Sequence, residues 1–195
     1  MHFVKKKLHD GPIPLALPSS LAPRPSPLIL GIDPGLAITG YGVLEATRGT
    51  PRLVEAGVVR STEKTSELPA RLAEIHRGVA EVIAALKPAA MALEQLYSHY
   101  DHPRTSILMG HARGVICLAA AEAGIPVIHY SATQIKRILT GNGRAPKSQV
   151  QRAIEKELRL DRPPEPPDVA DALAVALCHY HLGRRQSQLL QGSLT

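Results

Sequence analysis

The chain has 195 residues, 44% of them hydrophobic, and carries a net charge of +6 at pH 7. This length fits one globular domain with a sizeable core, and no apolar run approaches the roughly 18 residues that span a membrane. The positive charge favours a polyanionic partner, either a nucleic acid or an acidic membrane surface. Cys117 and Cys178 lie in apolar helical runs, so we interpret them as buried free thiols of a cytoplasmic protein.

The N-terminal segment differs in composition from the rest of the chain. Six prolines lie between Pro12 and Pro27, and three of them interrupt the apolar stretch that follows the lysines at positions 5–7. A signal peptide is therefore disfavoured, and residues 1–27 are predicted to form a flexible, proline-rich tail. A folded domain is predicted at 28–183, with a short C-terminal tail at 184–195.

Hydrophobic periodicity predicts the secondary structure in chain order. Three strands come first, at Leu28–Asp33, 39–46 and Arg52–Arg60, and their short links predict an antiparallel meander. Helices at 67–86, 104–123, 148–160 and 167–182 follow, with strands at 89–94 and 125–130 between the first three of them. This order predicts an α/β protein with a mixed five-stranded sheet, three antiparallel strands and then parallel ones, flanked by helices.

Four carboxylates fall where such a fold could bring them together. Asp33 and Glu94 end two predicted strands, whereas Asp168 and Asp171 lie three residues apart at the start of the last helix. Because sites of α/β folds lie beyond the strand ends, four acids there in a basic protein predict a two-metal site acting on phosphate. Oxygen ligands favour Mg²⁺ or Mn²⁺.

Each of these acids also has a simpler explanation when it is taken alone. Glu94 could be a paired or hydrated charge, and the pair Asp168 and Asp171 could simply favour the helix macrodipole. The turn after Asp33 could be a tight hairpin, and a similar start opens the actin-like ATPases. We interpret three nearby glycines as keeping side chains away from the carboxylate so that a phosphate could approach. They are Gly35, Gly40 and Gly42.

A second signal is a local excess of positive charge. Residues 123–154 contain no Asp or Glu but contain five cations, Lys136, Arg137, Arg144, Lys147 and Arg152. A solvated face usually mixes both signs of charge. A phosphate-binding surface therefore fits better than a solvated face, and Lys136, Arg144 and Lys147 are candidate phosphate contacts.

Residues 97–102 read YSHYDH and follow Glu94 closely. Aromatic rings in a loop beside a metal site could stack on exposed bases, which makes Tyr97 a candidate DNA contact. The alternative is that His99 and His102 bind a structural metal, although no cysteine or further histidine completes the set.

The second long helix is apolar on more than one face. Five residues could face the sheet, namely Ile107, Leu108, Val115, Ile116 and Leu118, which leaves Met109, Ala112, Ala119 and Ala120 to be covered. Gly110 and Gly114 lie four residues apart and permit a close backbone approach. The uncovered face is explained either by packing within the chain or by a dimer interface.

Five separated segments together resemble one family, the RuvC Holliday-junction resolvases of the RNase H-like superfamily. In chain order the segments are GIDPGLAITGYGV, LEQLY, GHARG, IKRILTGNGRAPKSQVQ and PDVADALAVAL. They match the family pattern in order and spacing, and they span about residues 28–182. The resemblance implies an RNase H-like nuclease domain at 28–183.

The resemblance implies a cytoplasmic endodeoxyribonuclease that resolves four-way junctions in recombination and repair and leaves 5′-phosphate and 3′-hydroxyl ends. It places the ligands of two Mg²⁺ ions, for which Mn²⁺ substitutes, at Asp33, Glu94, Asp168 and Asp171. Asp33, which lies between the other ligands, is the candidate for the shared ligand. Some members carry His at the position of Asp168, and Asp is also a family choice.

The resemblance also assigns DNA contacts and partners. It implies basic contacts at Lys136 and Lys147, with Lys147 near the cut, and an aromatic wedge at Tyr97, where the family usually has Phe. It makes the helix around Gly110 and Gly114 a homodimer contact, and it implies RuvA and RuvB as partners. A non-catalytic junction binder and an actin-like ATPase relative are the alternatives, and a nuclease assay with Mg²⁺ separates them.

For Tyr97 we expect the ring, and not the hydroxyl group, to matter, because a ring replaces lost base stacking at roughly 1–3 kcal/mol per base. Tyr97→Phe should cut synthetic junctions about as well as wild type, and Tyr97→Ala should cut poorly with metal binding intact. Cleavage rates and melting temperatures of both variants check this. A Tyr97→Ala protein that melts earlier but cuts normally per folded molecule would show that Tyr97 only packs on the domain.

Overall fold

The computed structural model describes residues 27–61, 67–95 and 103–192. The strands are β1 (Leu28–Asp33), β2 (Ile38–Glu45), β3 (Arg52–Arg60), β4 (Ala90–Glu94) and β5 (Val127–Tyr130). The helices are α1 (Leu68–Leu86), α2 (Pro103–Glu122), α3 (Ala132–Thr140), α4 (Lys147–Leu158) and α5 (Pro167–Gly192). The strand order is β3-β2-β1-β4-β5; β1, β2 and β3 pair antiparallel, and β4 pairs parallel with β1 and β5. The predicted mixed sheet is confirmed.

Alternation along the central strands sorts their side chains between two cores. Leu30 and Ile32 of β1 and Met91 and Leu93 of β4 point to one face, where α1 and α2 cover them. Successive strand residues point to opposite faces, so the even and odd positions of β1 separate cleanly. The odd positions face α5, which packs on β1 and β2 and is itself covered by α3 and α4.

Helix α5 lies very close to the sheet because glycines line its path. A Cβ atom at Gly31 would overlap the carbonyl oxygen of Ala172, and one at Gly40 would overlap the carbonyl oxygen of Asp168. A Cβ at Gly42 would meet the side chain of Leu173 at 2.5 Å. Gly40 and Gly42 therefore make room for α5 and not, as the sequence pattern predicted, for a phosphate.

The structure contains one helix that the sequence did not predict and extends another. Helix α3 has no counterpart among the predicted elements, although Ser131 caps its N-terminus by accepting a hydrogen bond from the Gln134 amide and Gly141 ends it with a φ of 78°. Helix α5 does not end near residue 182 but continues to Gly192, through most of the range predicted as the C-terminal tail. The domain boundaries stay predictions, and residues 1–26 of the predicted N-terminal tail lie outside the described residues.

The buried face of α2 is only partly the predicted one, since Ile116 is buried as expected but other residues are not. Ala112, Ile116, Ala119 and Ala120 are buried against α1 and the sheet, whereas Ile107 and Leu118, expected to face the sheet, are 62% and 50% exposed. The small alanine side chains let the helices approach closely, and this leaves the larger residues outside. Among the described ranges, no helix is long and apolar enough to cross a membrane.

The contact between Gly40 and α5 yields a prediction. Gly40→Ala should destabilise the protein by about 1–3 kcal/mol, because a methyl group there meets a backbone carbonyl that cannot move without shifting α5. Thermal unfolding measures this change. The matched control is Gly183→Ala in α5, where a methyl group meets open space and alanine favours the helix. Equal melting temperatures for Gly40→Ala and wild type would contradict the packing constraint.

Candidate active site

Two of the four acids end neighbouring parallel strands. The register pairs Ile32 of β1 with Leu93 of β4, so the next residues, Asp33 and Glu94, leave the sheet side by side at the same edge. Ile32 and Leu93 point into the core under α1 and α2. By alternation, Asp33 and Glu94 fall on the opposite face, the one that α5 covers.

The other two acids come from the first turn of α5. Pro167 suits the start of a helix because its fixed φ is already helical, and Asp168 in the first turn complements the helix dipole. The backbone of Asp168 lies against Gly40, which pairs with Asp33 across β1 and β2. The close approach of α5 therefore sets Asp168 and Asp171 beside the ends of β1 and β4.

The electrostatics of Asp33 show that its burial and the charges of the other three acids all act on it. Burial, and then the negative charges of Asp171, Glu94 and Asp168, raise the pKa of Asp33 to about 7, and only Lys147 opposes them. Burial and Asp171 likewise raise the pKa of Glu94. The arrangement concentrates negative charge that the folded protein balances only in part.

Lys147 supplies the nearest positive charge. It is the first residue of α4, and its Nζ lies 2.6 Å from Oδ2 of Asp171. This hydrogen bond is the main reason why the pKa of Lys147 is raised. The Lys147 side chain is 54% exposed and that of Asp171 is 33% exposed, so solvent screens the pair and Lys147 keeps room to turn outward.

An open depression of about 250 Å³ brings two of the acids together with two lysines of the basic stretch. Its polar lining consists of Glu94, Lys136, Lys147 and Asp171, and α3 and α4 supply most of its apolar wall. Lys136 also opposes the rise in the pKa of Glu94, so its charge acts on that carboxylate. Three larger hollows, one of them of about 730 Å³ next to Tyr180, have none of the four acids in their lining.

The donor chemistry of the four acids fits a hard divalent cation, since all the donors are carboxylate oxygens. A cation would also remove the repulsion that raises the pKa of Asp33. Within the described ranges, no three His, Cys, Asp or Glu side chains already stand close enough together to hold a metal ion. In this arrangement the ammonium group of Lys147 occupies Oδ2 of Asp171.

The remaining predicted residues are placed differently. Arg144 is exposed in the turn after α3, where its amide donates to Oδ1 of Asn142 at 2.9 Å, and its side chain does not line the depression. Tyr97, His99 and His102 lie outside the described residues. Of the three predicted basic contacts, Lys136 and Lys147 thus lie beside the acids and Arg144 lies away from them.

Sequence reasoning missed the role of Arg113, although the residue stands within the segment GHARG. Its guanidinium lies partly inside the protein, and Nη2 donates to Nδ1 of His129 at 3.0 Å, since a guanidinium can only donate. Its charge opposes the rise in the pKa of Glu94. The arginine directly before the apolar run 114–121 was the signal that could have revealed it.

The mixed sheet with acids at its edge is an RNase H-like fold, and solved structures share it. A structure of RuvC from Thermus thermophilus superposes with a TM-score of 0.76 at 34% identity and covers 82% of this chain and 96% of that one. A structure of T. thermophilus RuvC in complex with Holliday junction substrate gives a TM-score of 0.74 at 32% identity, covering 81% and 96%.

Sequence comparison reaches the same result. The family model described as crossover junction endodeoxyribonuclease RuvC matches residues 29–179. A crossover junction endodeoxyribonuclease RuvC of Rhodopirellula baltica is 59% identical over 162 residues, which cover 82% of this chain and 89% of the relative. The chain therefore belongs to the RuvC family of crossover junction endodeoxyribonucleases, and it is similar in sequence and fold to proteins of that name.

The raised pKa of Asp33 yields a pH-dependent prediction. The pKa of Asp33 is about 7 in the folded protein, compared with an ordinary value of 3.8. The folded state therefore binds this proton more tightly than the unfolded state does. As a result, the free energy of unfolding falls as the pH rises from 4 through 7. Asp33→Asn cannot ionise. In the metal-free state at pH 8, the Asp33→Asn protein should be more stable than wild type by on the order of 1 kcal/mol in the free energy of unfolding, about 2–4 °C in Tm. This difference in stability should vanish towards pH 4.

Thermal unfolding in a chelator at several pH values measures this gain. Asp161→Asn, the same change at an exposed loop position, is the control and should show no pH-dependent gain. Equal melting temperatures of Asp33→Asn and wild type at pH 8 would mean that the four acids do not destabilise one another.

Proposed function

We propose that this protein resolves four-way DNA junctions by metal-dependent hydrolysis of phosphodiester bonds, in recombination and repair. The observation that carries the proposal is the convergence of Asp33, Glu94, Asp168 and Asp171 beside Lys136 and Lys147. Acids alone would repel a phosphate, and lysines alone would only bind it. Their combination at one sheet edge suits phosphodiester cleavage. The superposable T. thermophilus RuvC in complex with Holliday junction substrate supports a junction as the DNA that is cut.

The four carboxylates would hold two Mg²⁺ ions, with Mn²⁺ as a substitute. Asp33 is the candidate for the ligand that both ions share, because its pKa responds to the charges of all three other acids. When bound, the two ions supply the charge that activates water for in-line attack and stabilises the leaving 3′-oxygen. The products are 5′-phosphate and 3′-hydroxyl ends.

Lys147 has two positions in this proposal. In the free protein its ammonium neutralises Asp171 at 2.6 Å. If Asp171 held a metal ion, the exposed Lys147 would be free to contact the phosphate near the cut. Lys136 binds a second phosphate from the other side of the depression. Arg144, exposed beyond α3, reaches the duplex farther from the cut.

Two symmetric cuts require two sites, and a homodimer supplies them. The exposed face of α2 offers the contact surface. Ile107, Gly110, Gly114 and Leu118 lie on it, and a Cβ at either glycine would meet nothing within 4 Å. These four residues are apolar, and the two glycines allow close backbone approach, as a dimer contact requires. RuvA and RuvB are the further partners that we propose.

Asp171→Asn tests the proposal directly. The change removes the charge of a metal ligand and keeps its shape, so cleavage of a synthetic junction in Mg²⁺ should fall by orders of magnitude. Junction binding should persist or tighten, because less negative charge faces the phosphates. Asp161→Asn, an exposed acid outside the site, is the matched control and should cut like wild type.

Cleavage is followed on denaturing gels and binding by mobility shift in Ca²⁺. Near-normal cutting by purified Asp171→Asn would rule out the metal site. Wild-type protein that binds junctions but cuts none in Mg²⁺ or Mn²⁺ would show a non-catalytic junction binder.

A further inference from the structure

Strand β3 ends at the same sheet edge as the strand-terminal acids. It runs antiparallel to β2, which runs antiparallel to β1, so β3 and β1 point in the same direction. The last residue of β3 is Arg60. The strand order places β2 and β3 on one side of Asp33, and β4 and β5 on the other. Lys136 lies on the side of β4 and β5, because it lines the depression together with Glu94. Arg60 lies on the opposite side.

Arg60 points to the same face of the sheet as Asp33. The register pairs Asp33 with Gly40 and Gly40 with Val58, and residues that pair across strands share a face. This is the face that α5 covers, because a Cβ atom at Gly40 would overlap the carbonyl oxygen of Asp168. Arg60 follows Val58 by two residues, so alternation along the strand returns its side chain to this face.

The strand geometry sets the separation between Arg60 and the acids. Two strand spacings of about 4.8 Å separate β3 from β1, and the two residues from Val58 to Arg60 add about 7 Å along the strand. The Cα atoms of Arg60 and Asp33 are therefore about 12 Å apart. This separation leaves room for a metal-bound phosphate between the two side chains. The guanidinium is thus placed to contact DNA beside the cut.

Hydrogen bonds to the turn between β1 and β2 hold the end of β3 in place. The amide of Ser61, the residue after Arg60, donates to the carbonyl oxygen of Ala37 at 3.2 Å. Oγ of Ser61 donates to the carbonyl oxygen of Leu36 at 2.6 Å, and Nε of Arg71 in α1 donates to this Oγ at 3.3 Å. The backbone at Arg60 is therefore ordered before any ligand binds, which lowers the entropy cost of binding.

The side chain of Arg60 is available to a ligand. The residue is exposed, and none of the ion pairs formed within the described ranges involves it. Arg52, at the other end of the same strand, instead pairs with Glu45 at 2.7 Å. An exposed cation that no acid of the described ranges neutralises, beside a site suited to phosphate, favours contact with a further phosphate.

We propose that Arg60 binds a phosphate of the DNA backbone next to the cut, on the side of the acids that lies away from Lys136. This inference rests on the proposed function, because it takes the acids as the place of cleavage. A guanidinium offers paired N–H donors that match the oxygens of a phosphate. Lysines on one side and Arg60 on the other hold the DNA across a site whose acids alone would repel it.

The proposal predicts a specific loss in Arg60→Ala. Junction affinity, measured by mobility shift in Ca²⁺ at several KCl concentrations, should fall on the order of 10-fold at 0.1 M salt, and log affinity against log salt should lose about one unit of slope. Mn²⁺ binding to the free protein and the melting temperature should stay as in wild type. Arg60→Lys keeps the charge and should keep the slope. Arg52→Ala, at the opposite edge of the sheet, is the matched control and should keep both affinity and slope.

A change in the DNA locates the contact. Junctions with a single uncharged methylphosphonate at one position near the cut should bind wild type less tightly when that position is the one that Arg60 contacts. Arg60→Ala should lose nothing further at that position, whereas Lys136→Ala should still respond to it. Equal losses for wild type and Arg60→Ala at every position, or an unchanged salt slope in Arg60→Ala, would overturn the proposal.

The same experiments distinguish failure of this inference from failure of the proposed function. Wild-type protein that cuts no junction in Mg²⁺ or Mn²⁺ would contradict the proposed function, and this inference with it. Junction cleavage by wild type, together with wild-type affinity and salt slope in Arg60→Ala, would contradict only the role of Arg60. Weaker Mn²⁺ binding in Arg60→Ala with a normal salt slope would also contradict it, because the arginine would then serve the acids and not the DNA.

Discussion

The close approach of α5 to the sheet is the constraint on which the rest of the structure depends. A helix that packs on a sheet is normally held off by the side chains of the strands. Here Gly31, Gly40 and Gly42 remove those side chains, so the backbone of α5 rests on the backbone of β1 and β2. A helix at the usual distance would leave Asp168 and Asp171 farther from the strand ends.

This packing also explains why α5 is buried on nearly all sides. Residues 172–178 are all buried, because the sheet covers one side of the helix and α3 and α4 cover the other. This buried stretch is therefore built from small and aliphatic residues, and the acids of the helix come before it. Rigid placement of Asp168 and Asp171 follows from the burial of the turns that come after them.

Gathering four acids has an electrostatic cost, and the surrounding cations reduce it. Burial and the charges of the other three acids make the ionised form of Asp33 less favourable, and this raises its pKa. Lys147 neutralises Asp171 directly, and Lys136 and Arg113 act on Glu94. The acids come from β1, β4 and α5, whereas these cations come from α2, α3 and α4. The site is thus a balance of charges from six elements, which an arriving cation or phosphate would shift.

The sequence by itself determined most of the sheet and the four acids, whereas only the tertiary structure decided which residues face each other. The alternation of side chains along a strand and the acids at strand ends are local patterns in the sequence. For this reason β1 and β3 match their predicted bounds to the residue. Helix α3 was missed because its nine residues are too few to show a long periodic pattern. The alanine face of α2, the packing of Gly40 on α5, and the pairing of Lys147 with Asp171 all join distant segments. A sequence shows which residues a strand or helix presents, but the neighbours that complete a site are set by packing between elements.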